Sequence, residues 1–201
     1  MCFEEIAREL IQRREHDFAV RQQLLEAGRL YDGYCPEMEQ LHRENSSRLE
    51  AIIDAIGYPT IAKVGADASN AAWLIIQHAI GRPDFMRKML RLLRRLPAGE
   101  ISPRDLAYLE DRINMYEGKP QRYGTQFDWD DDGRMAPVAC DDLAAVDRRR
   151  RKLGLCPLAE QTDRFRREQD FIPDRETLAR HRRQYHDWLV QTGWRRTGNR
   201  A

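Results

Sequence analysis

The stretch DASNAAWLIIQHAIG, residues 67–81, decides the fold. It contains no proline, and apolar side chains occupy positions on every side of a helix with about 3.6 residues per turn. A helix that is apolar all round belongs in the interior of a protein rather than on its surface. Asp67 can cap the start of this helix and Gly81 can end it. The sequence therefore predicts a buried central helix over residues 67–81.

Three polar side chains interrupt this apolar stretch: Asn70, Gln77 and His78. A buried polar group that finds no hydrogen-bond partner costs about 1–3 kcal/mol. We therefore expect other parts of the chain to meet these side chains. Their partners can be structural, or they can belong to a functional site.

The chain around the central helix has mostly helical periodicity. Further helices are predicted over residues 3–28, 36–56, 83–96, 102–117, 141–153, 157–170 and 174–191. Near residues 123–138, alternating aromatic residues and an Asp-Gly turn are typical of a β-hairpin. The prediction is an all-α bundle of about seven or eight helices with one small hairpin. Residues 1–173 would form a helical domain with a hairpin insertion, and residues 174–201 an appended helix and tail packed on it.

Composition excludes several classes of protein. The chain has 201 residues, of which 33% are charged, and a net charge of +1. Such a balance gives no general attraction to nucleic acid or to membranes. No apolar run reaches the roughly 20 residues that span a bilayer. The four cysteines lack zinc-site spacing and no secretory signal is present, so we expect reduced thiols in a cytoplasmic protein.

Several short motifs resemble a helical bacterial family known as a domain of unknown function. They are Ala71-Ala72-Trp73-Leu74, Gln77-His78-Ala79, Ala107-Tyr108-Leu109 with Asp111-Arg112, the run from Gly118 through Pro120-Gln121-Arg122-Tyr123-Gly124-Thr125-Gln126, and the segment from Arg148 to Pro157. The resemblance covers about residues 40–160, and the Pro-Gln-x-Tyr-Gly-Thr-Gln run is its most specific part. The chain departs from the family at Tyr58, where tryptophan is usual, and in the helix after Pro173. The resemblance implies a helical fold and no particular reaction.

Some residues combine this resemblance with chemistry suited to a site. The resemblance places family-type residues at Gln77, His78, Asp111, Arg112, Tyr123, Thr125 and Gln126. A buried histidine beside an aspartate can act as an acid or base near neutral pH, and arginine can hold an anionic group. The candidate catalytic residues are His78, Asp111 and Tyr123. The candidate substrate-binding residues are Gln77, Arg112, Arg122, Thr125, Gln126 and Asn70.

The leading hypothesis is a small-molecule-processing enzyme or ligand-binding protein with cofactor-free acid–base or hydrolytic chemistry. His78 would transfer the proton and Asp111 would orient it. The first alternative is a structural or interaction module, in which the same residues fasten the hairpin to the bundle and the protein meets a partner or a second copy of itself. The second alternative is a carboxylate–histidine metal enzyme, which would require His16 or His42 and several carboxylates within reach of His78. We predict no metal ligands.

Overall fold

The computed structural model describes residues 2–29 and 34–196. Over this part of the chain it has nine helices and one two-stranded antiparallel sheet, which confirms the all-α bundle with a small hairpin. The helices are α1 (Phe3–Glu26), α2 (Pro36–Ile56), α3 (Ile61–Val64), α4 (Ala66–His78), α5 (Pro83–Leu93), α6 (Pro103–Tyr116), α7 (Leu143–Lys152), α8 (Leu158–Glu168) and α9 (Arg175–Gln191). The strands are β1 (Phe127–Trp129) and β2 (Met135–Pro137). The end of the predicted tail, residues 197–201, lies outside the described residues.

The chain divides into two compact units, Met1–Leu106 and Ala107–Ala201. We call them the N-terminal unit and the C-terminal unit. Their boundary falls within the first turn of α6, and α9 lies in the C-terminal unit. The predicted division at residue 173 stays a prediction.

Helix α4 is the central element of the N-terminal unit, as the sequence predicts. Helices α1, α2, α3 and α5 all pack against it. Ala71, Ala72 and Ile76 are fully buried along its length. Around it the largest fully buried side chains of this unit are Ile6, Leu10, Leu49, Ile52, Met86, Met89 and Leu93.

The bounds of α4 differ by a few residues from the predicted 67–81. Gly65 is the N-cap, with a φ of +82° that glycine adopts without steric cost, and Asp67 lies in the first turn. There Asp67 pairs with Arg14 of α1. The helix ends at His78, and Gly81 lies in the turn that follows, before Pro83 begins α5. His78 is therefore the last helical residue, and its side chain lies at the C-terminal end of the buried helix α4.

The C-terminal unit packs its helices around aromatic side chains. Tyr116 at the end of α6 lies 5.4 Å from Trp188 and 4.9 Å from Trp194, measured between ring centroids. The hairpin packs on α8, where the rings of Phe127 and Phe165 meet edge to face at 4.7 Å. Within the described residues, no helix is both long enough and apolar enough to cross a membrane.

Candidate functional site

Three side chains from three helices meet in the N-terminal unit. Asp17 of α1 lies between His42 of α2 and His78 of α4. Nδ1 of His78 is 3.1 Å from each carboxylate oxygen of Asp17, and Nε2 of His42 is 3.0 Å from Oδ2 of Asp17. The two imidazole rings lie 5.1 Å apart between centroids. We call these three side chains the Asp-His-His cluster.

The helical pattern of the sequence explains why these side chains meet. Leu10, Asp17 and Leu24 follow one another at seven-residue intervals on α1, which is about two turns, and all three are buried. His42 and Leu49 repeat the same interval on the buried face of α2. An acid in such an apolar stripe requires partners, since an unpaired buried charge is costly. This pattern is the signal that could have identified Asp17 from the sequence.

Asp17 is an ionised carboxylate inside the unit. Its exposed fraction is only 3%. Burial disfavours its charge, but the imidazoles of His42 and His78 outweigh burial and hold the pKa of Asp17 well below its usual range. A buried negative charge therefore faces two histidine nitrogens at neutral pH.

His42 has a hydrogen-bond partner at one side of its ring and lies close to Asp17 at the other. Tyr34 Oη lies 2.7 Å from Nδ1 of His42, and the two rings stack with centroids 5.9 Å apart. On the other side, Nε2 is buried, and the described part of the chain offers it no hydrogen bond of good geometry. The 3.0 Å approach to Asp17 is therefore close but poorly aligned for a direct N–H···O bond.

The cluster is accessible from one side. The side chain of His78 is 22% exposed, whereas that of Asp17 is 5% exposed. A shallow depression too narrow to hold a water molecule adjoins His42. Its lining consists of Tyr34, Glu39, His42, Arg43, Ala79, Gly81 and Arg82. Solvent can therefore approach His78, while His42 and the carboxylate stay inside.

The two other candidate residues of α4 have different surroundings. Gln77 is buried, with 3% of its surface exposed. Asn70 is exposed, and its amide donates to Oδ2 of Asp105 at 3.3 Å. Their predicted role in substrate binding stays a prediction.

In the C-terminal unit, Asp111 fastens the start of the hairpin. It is fully buried and accepts hydrogen bonds from the backbone N–H groups of Arg122, Tyr123 and Thr125 at 2.8, 3.1 and 3.0 Å. The hydroxyl of Thr125 also donates to Asp111 at 3.1 Å. Burial raises the pKa of Asp111, and these hydrogen bonds oppose that rise. One carboxylate thus holds four donors of a single loop.

Two buried residues that sequence reasoning missed complete this arrangement. The side-chain amide of Gln121 donates to the carbonyls of Gln126 and Val138, and its oxygen accepts from the N–H of Gln126 at 2.7 Å. The guanidinium of Arg150, 2% exposed, donates to the carbonyls of Tyr123, Gly124 and Cys156. We call Asp111, Gln121 and Arg150 the hairpin latch.

The structure therefore brings most candidate residues of the C-terminal unit into one network. Arg112 donates to the side-chain oxygen of Gln126 at 3.0 Å, and Arg122 pairs with Glu110 at 3.3 Å. The carboxylate found against His78 is Asp17. The prediction that Asp111 orients His78 stays a prediction.

The comparisons with known proteins agree with the resemblance noted in the sequence. A family model described as "Family of unknown function (DUF6624)" matches residues 4–169. No curated protein and no solved structure matches the chain.

Proposed function

Because the chain belongs to the DUF6624 family, whose function is unknown, we propose a function from the site itself: a small-molecule enzyme that activates water for hydrolysis at the Asp-His-His cluster. One observation carries this proposal. Asp17 is buried and ionised, and it holds His78 at 3.1 Å in a position that solvent reaches. Titratable side chains whose pKa is shifted by burial and by a charged partner are common in active sites.

Two kinds of chemistry can activate water at such a cluster. Without a cofactor, Asp17 would hold the Nδ1–H edge of His78, and Nε2 of His78 would take a proton from water. With a metal ion, the ion would take over the activation of water and the histidines would become ligands. Both chemistries use the same residues and give the same class of reaction.

The four cysteines support the cytoplasmic setting expected from the sequence. Cys2, Cys35, Cys140 and Cys156 are all free thiols. Free thiols are usual in a reducing compartment. We therefore propose that the reaction takes place in the cytoplasm.

The test is hydrolysis of a panel of small carboxylic esters, amides and phosphate esters by the full-length chain. We expect His78→Asn to lower kcat/KM by about 100-fold or more, the usual contribution of a residue that activates the nucleophile. The matched control is His16→Asn, which removes an exposed histidine next to Asp17 and leaves the cluster intact. Equal activity of the His78→Asn and His16→Asn variants would contradict the proposal.

A second candidate function, a structural or interaction module, is favoured by the hairpin latch. The backbone of Arg122, Tyr123 and Thr125 is fastened by Asp111, and Arg112 contacts Gln126. These contacts suffice to explain the most specific motif of the family without a substrate. Under this second function, none of the panel substrates would be hydrolysed, and variants of the latch would change stability alone.

A further inference from the structure

We propose that the Asp-His-His cluster binds one divalent transition-metal ion, preferentially zinc, through the carboxylate of Asp17, Nε2 of His42 and Nδ1 of His78. The inference rests on the proposed function for its role, since it names the group that activates water. Binding of the ion is measurable without a substrate. The sequence predicts cofactor-free chemistry, whereas this inference assigns three ligands to a metal ion.

The donor set suits a zinc-type ion. One carboxylate oxygen and two imidazole nitrogens are the ligands that zinc, iron(II) and cobalt(II) accept, whereas magnesium and calcium prefer oxygen ligands alone. Two histidines and one acid are a ligand combination found in catalytic zinc sites, where the fourth position holds water or substrate. The cluster therefore has the composition of a catalytic centre rather than of a closed structural one.

The spacing of the donor atoms fits the same ion. Ligand atoms about 2.1 Å from a tetrahedral zinc ion lie about 3.4 Å from one another. In the cluster, the oxygen–nitrogen separations are 3.0 and 3.1 Å, and all three donor atoms lie within 4.8 Å of one another. A bound ion would require the oxygen and nitrogen atoms to move apart by about 0.3–0.4 Å.

The surroundings of His42 point to a ligand rather than to a simple hydrogen-bond partner. Its Nε2 is buried close to Asp17 but is poorly aligned for a hydrogen bond to it. Its Nδ1 is held by Tyr34 Oη at 2.7 Å. With an ion bound, Nδ1 would carry the proton and donate to Tyr34, and the Nε2 lone pair would be available to the ion. A second partner of this kind is usual for metal-binding histidines, because it fixes the orientation of the ring.

The solvent-facing side of the cluster is also suitable for a catalytic ion. The partly exposed side chain of His78 leaves one side of the cluster open to water. The buried carboxylate of Asp17 supplies one negative charge against the ion's two positive charges. A bound ion would thus remain partly uncompensated and would polarise an additional ligand, as zinc does when it lowers the pKa of bound water to about 7.

The experiment is equilibrium dialysis of the full-length protein against zinc, after treatment with a chelator, with the bound metal measured by elemental analysis. We expect one equivalent of zinc per chain. We expect His42→Gln and His78→Asn each to weaken the affinity by about 100-fold or more, since loss of even an outer partner of a ligand costs 10–100-fold. Two exposed histidines supply matched controls: His16→Asn and His186→Asn should bind zinc like the wild type.

Two results would overturn the inference: a wild-type chain that binds no zinc above the background, or zinc lost equally from cluster variants and control variants. If His42→Gln does not fold, judged by circular dichroism, His78→Asn decides, because that side chain is partly exposed. The hydrolysis panel separates the two proposals. Zinc binding without hydrolysis refutes the proposed function alone, and hydrolysis that needs His78 in a chain that binds no zinc refutes this inference alone.

Discussion

Replacement of Asp17 by alanine should lower the free energy of unfolding of the metal-free protein by about 2–4 kcal/mol. The carboxylate is buried and lies within 3.1 Å of ring nitrogens of both His42 and His78. Its removal takes the acceptor from Nδ1 of His78 and the neighbouring negative charge from the buried Nε2 of His42, and it opens a small cavity between α1, α2 and α4. For a chain of this length, thermal unfolding should occur roughly 5–15 °C lower.

The matched control for this prediction is Glu15→Ala. Glu15 lies on the same helix, two residues away, and is exposed. A surface substitution of this kind usually changes stability by no more than about 0.5 kcal/mol. Equal thermal unfolding of the two variants would show that Asp17 does not hold the three helices together, and the structural basis of the cluster would be lost.

Replacement of Asp111 by alanine should have the largest effect in the C-terminal unit, about 3–5 kcal/mol of unfolding free energy. The substitution leaves three backbone N–H groups and one hydroxyl without their buried acceptor. Hydrogen exchange should therefore accelerate at the amides of Arg122, Tyr123 and Thr125. Thermal unfolding and exchange measured by NMR check the two parts of this prediction.

Asp132→Ala is the matched control, since Asp132 is an exposed acid in the turn of the same hairpin. We expect it to unfold like the wild type. The comparison also tests the role predicted for Asp111 from the sequence. If Asp111 orients His78, then Asp111→Ala should abolish hydrolysis while stability and amide exchange match those of Asp132→Ala, and the latch would be refuted.

The sequence predicts the fold well because its signals are local. The apolar stretch around Ile76 requires burial, and glycine and proline mark most helix ends. Position 65 shows the limit of this reasoning. Asp67 is a good capping residue, but Gly65 allows the chain to enter the helix two residues earlier, and Asp67 is then available to Arg14.

The candidate site could be predicted only in part, because its members lie far apart in the chain. His78 was identified from its position in the apolar stretch. Its partner Asp17 lies 61 residues earlier, and no local pattern pairs two positions across that distance. The family resemblance points to Asp111, but its partners are backbone groups. A sequence pattern of side chains gives no information about a carboxylate that binds the main chain.

The measurement that tests the account most directly is a crystal structure of the zinc-treated protein, with anomalous diffraction recorded on both sides of the zinc absorption edge. We expect one strong anomalous peak, about 2.0–2.2 Å from a carboxylate oxygen of Asp17, from Nε2 of His42 and from Nδ1 of His78. A zinc peak found only at other residues, with no ion between Asp17, His42 and His78, would contradict the account.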